Sequence, residues 1–373
     1  MHLLVRSLIS SLLLAWLAFT APPADDHTDP TWYRTESGEK LPVKTAEDWA
    51  VRRQAIIAGM ERVMGPVPDR TKWPESQVRV LERTELPEGI TRQKIQFISD
   101  SNDRPIKAWV FLPKPDPKFA TTKISARRAA VLCLHQTNNV GKDEPAGLGG
   151  LPNLHYALEL AQLGFVTLAP DYPSFGEYPY TFPPQDGYAS GSMKAISDNM
   201  RAIDILQSME QVDPERIGCI GHSLGGHNTM FTAVFDLRIK ALVSSCGFTR
   251  FHKYYEGNLV GWTSPRYMPK IASDSHNNPD EVPFDFPEIV AAFAPRPFLA
   301  CSPLGDSNFE VSGVRDTMAA ARPIYTLLDA EQGLRAEYPD CAHDFPLATR
   351  QVAYEFLIET LNKPVKPSSS PSG

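Results

Sequence analysis

The sequence predicts an α/β protein: a mostly parallel central sheet with helices on both faces. Three observations predict it. From Ala129 onward, short apolar runs alternate with amphipathic stretches in a strand, helix, strand, helix rhythm, the pattern of parallel strands joined by helical crossovers. One of these runs, residues 217–220, leads straight into Gly221-His222-Ser223-Leu224-Gly225, a G-x-S-x-G pattern before a helix-like segment at 228–235. Asp306 and His343 each follow a later apolar run, which places them at the carboxyl ends of strands, where functional groups gather in such sheets.

The chain has 373 residues, 42% of them hydrophobic, enough to bury a large core in one domain, residues 46–362. Residues 1–20 combine Arg6 with an apolar run from Leu8 to Phe19 and small residues near its end, which predicts a signal peptide and export to the periplasm or beyond. That run is shorter than the roughly 20 residues a spanning helix needs, so no stable membrane anchor is expected. Residues 21–45 read as a flexible polar leader. The Ser- and Pro-rich 363–373 read as a disordered tail.

Formal net charge is −7 with scattered basic residues, which excludes the electrostatic footprint of a nucleic-acid binder. The five cysteines, Cys133, Cys219, Cys246, Cys301 and Cys341, lie in or beside apolar segments without C-x-x-C or Cys/His spacing, so they read as small core residues. A single bridge, for example Cys301 with Cys341, is compatible with export. No metal or cofactor is expected.

Taken in order, residues 46–64 carry Trp49, Ile56, Ile57, Met60, Val63 and Met64 at helical spacing until Gly65-Pro66. Residues 77–84, 90–98 and 105–112 read as antiparallel edge strands between turn signals, completing an N-terminal part at 46–127. A polar connection at 113–128 follows. The core, 128–362, then runs as strand 129–134, helix 154–163, strand 165–168, helix 189–209, strand 217–220, helix 228–235 and strand 239–246. It continues as strand 297–301, helix 318–328, strand 334–338 and helix 350–361. Between them an insertion, 247–295, carries Phe248, Phe251, Tyr254, Tyr255, Trp262, Tyr267, Phe284 and Phe286. It reads either as the roof of a pocket or as a small core of its own.

G-x-S-x-G between strand and helix is the pattern of a nucleophile elbow, where flanking glycines leave room for a strained turn that pushes serine outward. A serine hydroxyl needs a base to become a useful nucleophile. His343 is the candidate base, and Asp306 the carboxylate that fixes its tautomer. The order Ser, Asp, His is that of α/β-hydrolases. Glu310 is the rival acid, lying further from the strand end. His222 and His227 are rival histidines on the elbow itself, read as packing or positioning groups. Asp340 and Asp344 stand too near His343 in sequence to orient it easily. The backbone amides of Leu224 and Gln136, with Thr137 next, are the candidate oxyanion donors, and His135 reads as structural. The glycines of 141–150 do not form G-x-x-x-x-G-K-[ST] and read as a loop bordering the site.

The runs Cys133-Leu-His-Gln-Thr137, Ala169-Pro-Asp-Tyr-Pro-Ser-Phe-Gly176, Gly221-His-Ser-Leu-Gly-Gly226, Phe284-Asp-Phe-Pro-Glu288 with Ala294-Pro-Arg-Pro297, and Ala342-His-Asp-Phe345 together resemble the dienelactone hydrolase and acetyl xylan esterase branch of the α/β-hydrolase superfamily. The resemblance covers about 105–361. It implies an eight-stranded sheet and a triad of Ser223, Asp306 and His343. Dienelactone hydrolases proper use a cysteine where Ser223 stands, which points away from that particular activity.

The expectation is therefore an exported serine esterase acting on a small-molecule or carbohydrate ester. Two other readings stay open. One is a secreted peptidase of the prolyl oligopeptidase type, which shares the triad order, although no repeated propeller blade precedes the domain. The other is a non-catalytic binding module on a hydrolase fold, against which the full set of triad candidates speaks.

Overall fold

The structure is a computed structural model that describes residues 25–362 apart from 76, 103 and 115–126. The signal peptide, the first residues of the leader, most of the connection 113–128 and the tail 363–373 lie outside the described residues.

The rest of the leader includes regular structure. β1 (Trp32–Arg34) and β2 (Lys40–Pro42) pair antiparallel as a short hairpin. Its anchor is Trp32, 4% exposed, with the guanidinium of Arg52 3.7 Å and the ammonium of Lys40 4.0 Å from its ring centroid. Cation–π contacts of this kind order a segment that has no apolar stripe. Arg52 belongs to α1 (Ala46–Met64), which opens with a capping box between Thr45 and Asp48 and ends at Gly65, φ 95°. Its buried face presents Trp49, Ile56, Met60, Val63 and Met64 to the core.

β3 (Arg79–Glu85), β4 (Ile90–Ile98) and β5 (Pro105–Pro113) form the antiparallel edge. β3 is nearly all exposed, carries Arg79, Glu82, Arg83 and Glu85, and slips register between Val80 and Glu82. After them come β6 (Arg128–Leu134), α2 (Tyr156–Gln162), β7 (Val166–Pro170), α3 (Gly191–Ser208), β8 (Val212–His222), α4 (Leu224–Phe235) and β9 (Ile239–Ser245). The insertion contributes the short helices α5 (Lys270–Ser273) and α6 (Phe286–Ala291). The chain closes with β10 (Phe298–Cys301), α7 (Val311–Leu327), β11 (Leu334–Glu337) and α8 (Leu347–Leu361).

The main sheet has nine strands among the described residues, one more than the resemblance implies, in the order β11-β10-β9-β8-β6-β7-β5-β4-β3. β6 through β11 run parallel, while β5 joins β7 antiparallel. Along β6 the period of two is visible in the packing. Ala130, Leu132 and Leu134 face the layer holding α1, α3, α4, α6 and α7, and Ala129, Val131 and Cys133 face the layer of α2 and α8. From β6 the chain winds outward through β7, then returns past β6 to wind the other way through β8 to β11. The switch point lies between β6 and β8, and the crevice beyond their carboxyl ends is where a site is expected.

Several element boundaries move. α4 starts at Leu224 rather than Asn228, because Gly225 and Gly226 serve helix packing and not a turn. α7 starts at Val311 rather than Met318, and β8 reaches back to Val212 through a polar stretch containing Pro214. The insertion does both things expected of it. Phe248, Phe251, Phe284 and Phe286 are fully buried and pack with ring centroids 5.4 to 5.7 Å apart for Phe251 against Phe284 and Phe286. Tyr254, Tyr255, Trp262 and Tyr267 instead line a cavity.

Candidate active site

Ser223 stands on the turn between β8 and α4 with φ 53° and ψ −116°, a conformation that costs a non-glycine residue on the order of 1–3 kcal/mol. The surroundings hold it there. Its amide donates to the Ser245 carbonyl at 2.8 Å. A Cβ on Gly225 would lie 1.9 Å from the Leu134 carbonyl oxygen, and one on Gly221 would lie 2.2 Å from the Gly225 carbonyl oxygen. Only glycine lets α4 close on the end of β6, so the turn cannot relax by moving the helix away.

His343 follows β11 and Asp306 follows β10. Nδ1 of His343 lies 3.0 and 2.9 Å from the two carboxylate oxygens of Asp306. Oδ1 of Asp306 also accepts the amides of Asn308 at 2.8 Å and Phe309 at 3.0 Å. Burial pushes the Asp306 carboxyl up, but the hydrogen bond and charge of His343, with the two amides, outweigh it and hold the group below the ordinary value. An ionised Asp306 places the imidazole proton on Nδ1 and leaves Nε2 as the acceptor. Nε2 is buried and has no hydrogen-bond partner.

A cavity of about 340 Å³ borders His343. Ser223, Leu224, Gln136, Thr137, His227, Trp262, Tyr267, Phe309 and His343 all line it. The amide of Leu224 is at the first position of α4, where no carbonyl one turn earlier can accept it. The loop carrying Gln136 is pinned from three sides. Buried Glu144 accepts from the Gln136 side chain at 3.0 Å, the Asn138 side chain at 2.6 Å and the Leu151 amide at 3.0 Å. The ring of His135 donates from Nδ1 to the Gln136 carbonyl at 2.6 Å and accepts the Tyr172 amide at Nε2, 2.9 Å. Burial lowers its pKa, so the ring stays neutral and can do both. The Tyr156 hydroxyl donates to the Leu134 carbonyl at 2.5 Å.

The predicted groups thus come together from four strand ends: Gln136 after β6, Ser223 and Leu224 after β8, Asp306 after β10 and His343 after β11. The rivals sit elsewhere. Glu310 is half exposed and bonded to Ser312. Asp344 accepts from Asn153. His222 is buried with Nδ1 3.0 Å from the Ser245 hydroxyl, its ring 5.0 Å from that of His343 and stacked on Phe345. Burial and the neighbouring His343 lower its pKa to about 3, so it is a neutral wall behind the His343 ring. His227 is different, since it lines the cavity. Its spacing of three from Leu224 on α4 puts the two on one helical face, a signal the sequence did contain.

All five cysteines are free thiols, so Cys301 and Cys341 are not bridged. Cys246, Asp306 and His343 offer ligand atoms within 4.8 Å of one another, the one such group among the described residues. Asp306 and His343 already engage each other, and burial pushes the Cys246 thiol well up, which keeps it protonated.

The sheet, its switch point and the elbow define an α/β-hydrolase. The chain belongs to the prolyl oligopeptidase family, a family of serine hydrolases, whose pattern matches residues 153–345. It is 27% identical over 330 residues to the Bacillus subtilis (strain 168) protein YtaP, covering 84% of this chain and 99% of that one. In three dimensions it is similar to a glucuronoyl esterase from Solibacter usitatus, with TM-score 0.69, 19% identity and coverage of 91% of this chain and 99% of that one. It is similar also to acetyl xylan esterase 1 from Thermoanaerobacterium sp., with TM-score 0.53, 15% identity and coverage of 83% and 93%. At such identities the likeness is one of fold. Among the described residues no helix is long and apolar enough to cross a membrane.

Proposed function

We propose that the protein is an exported serine esterase that cleaves carboxylic esters, acylated carbohydrate among them, through an acyl-enzyme on Ser223. The observation that carries the reading is the His343 ring, tied at Nδ1 to Asp306 with Nε2 unpaired, on a residue that lines the same cavity as Ser223. In the reaction Ser223 Oγ bonds to the ester carbonyl carbon and its proton passes to His343 Nε2. The amides of Leu224 and Gln136 take the charge that develops on the carbonyl oxygen. The carbon–oxygen ester bond breaks as the imidazolium returns its proton to the leaving alcohol. Water then enters, loses a proton to the same nitrogen and releases the acid, restoring the Ser223 hydroxyl.

Beyond His343, the groups around the cavity are neutral hydroxyls, amides and aromatic rings, which favours an uncharged ester. The fold likeness to carbohydrate esterases points the same way. Export rests on residues 1–20 of the sequence. The family's description as prolyl oligopeptidases favours a second reading, a peptidase with the same three residues. A fluorophosphonate labelling reaction followed by mass mapping tests the nucleophile, and short p-nitrophenyl esters offered beside aminoacyl anilides separate the two readings. Labelling at Ser223 with turnover of esters and not anilides is expected. A folded protein that takes no label and turns over neither substrate would raise the binding-module reading to first place.

A further inference from the structure

His227 is an unusual residue to find where it is. It is 7% exposed, and neither ring nitrogen has a hydrogen-bond partner. The ring passes beside the Gly247 backbone without reaching hydrogen-bond geometry with it. Its neighbours are aromatic: Trp262 at 4.8 Å edge-on, Phe231 at 5.5 Å beneath it one helical turn on, Tyr267 at 6.2 Å and Phe309 at 6.5 Å. Burial pushes the imidazole down to about 3, so at neutral pH it carries one donor and one acceptor and no charge. Trp262, 3% exposed, adds a second stranded group, since its Nε1–H also has no partner. Both residues line the cavity that holds Ser223 and His343.

A buried polar group left without a partner is costly, and native proteins retain few of them. A pocket that needed only to accept an apolar alcohol would do better with Leu or Phe at this position. Two adjacent residues offering a neutral donor and acceptor plus a further donor, set among flat rings, match a ligand that has hydroxyl groups along an apolar ring face. A charged ligand finds no counter-charge here, and a plain alkyl alcohol leaves both side chains unsatisfied.

We propose that His227 is a specificity-determining contact, its imidazole hydrogen-bonding a hydroxyl of the neutral polyol that forms the alcohol part of the ester, with Trp262 donating to the same ligand. The proposal rests on the esterase reading and goes further by naming the alcohol. It assigns His227 no proton transfer.

The test compares kcat and KM of the purified mature protein for a monoacetylated pentopyranoside and for cyclohexyl acetate, two esters with the same acyl group and alcohols of similar size. In His227→Phe, which keeps a ring in place, the ratio of kcat/KM for sugar ester over cyclohexyl ester falls about tenfold, the worth of one buried hydrogen bond. The loss appears in KM for the sugar ester, and His227→Gln, which can still donate and accept, recovers part of it. His227→Leu, which has neither donor nor acceptor, reads the same ratio if the Phe variant does not fold. An unchanged ratio, or a loss shared equally by both esters, overturns the assignment of His227 while leaving the esterase intact. Absence of turnover of both acetates by the wild type, with no fluorophosphonate label on Ser223, removes the esterase reading and this proposal with it.

Discussion

Both carboxylate oxygens of Asp306 reach Nδ1 of His343, at 3.0 and 2.9 Å, so the imidazole is held by a fork and not by a single bond. That contact decides which ring nitrogen carries the proton. Asp306→Asn offers an amide that can donate as well as accept, and the wrong tautomer becomes available. We expect kcat to fall by roughly 10³ to 10⁴ with little change in melting temperature, read from ester turnover and circular dichroism. A loss smaller than tenfold would show that another carboxylate orients His343.

Ser223→Ala and His343→Ala each remove an atom that the proposed reaction requires. Each is expected to lower kcat at least about a thousandfold while the far-ultraviolet spectrum stays unchanged. His222→Ala removes only the wall behind His343 and is expected to cost less than about tenfold. Comparable losses in all three folded variants would shift the base away from His343.

Gly225→Ala places a methyl group 1.9 Å from the Leu134 carbonyl oxygen and 2.9 Å from that of His135. The Leu134 carbonyl oxygen is held in place by the Tyr156 hydroxyl that donates to it. Thermal unfolding should show a loss of about 1–3 kcal/mol or more, and the Gln136 loop should lose activity with it. A variant as stable as the wild type would mean that α4 can slide.

Asp285 caps α6 from a buried position, accepting the amides of Phe251 at 2.9 Å and Phe286 at 2.7 Å. Burial pushes its carboxyl up to about 7 against the pull of those amides. Because the folded value is raised above the unfolded one, its contribution to stability is complete below about pH 4 and is lost as pH rises through about 7. Melting temperatures of wild type and Asp285→Asn compared across that range should diverge by a few degrees in favour of the variant as pH rises. Parallel curves would assign the pH dependence to other groups.

The parts of the fold that sequence made legible are those in which one local pattern meets one structural demand. β6 needs an apolar run because both its faces are covered, and Ala129 to Leu134 supplies one. The elbow needs glycines at fixed offsets from Ser223, and Gly221 and Gly225 stand there. Asp306 and His343 could be placed because short strands end just before them. The hairpin of β1 and β2 stayed hidden because its order comes from Arg52 and Lys40 against Trp32, contacts made across the fold and not along the chain. The start of α4 was misplaced because Gly225 and Gly226 look like a turn until the closeness of Leu134 and Gly247 is known. His227 reads from sequence as a packing or positioning group, and nothing local distinguishes a satisfied histidine from one whose ring nitrogens both lack a partner.

The sheet ends at β3, and the character of that strand reaches beyond the single molecule. An open strand edge invites a second copy to continue the ladder. Here Arg79, Glu82, Arg83 and Glu85 stand along the border, and the slip between Val80 and Glu82 interrupts the even spacing that a docking strand would have to match. At the opposite border β11 is only four residues long. The charges and register slip along β3 and the shortness of β11 both work against continuation of the ladder by a second copy.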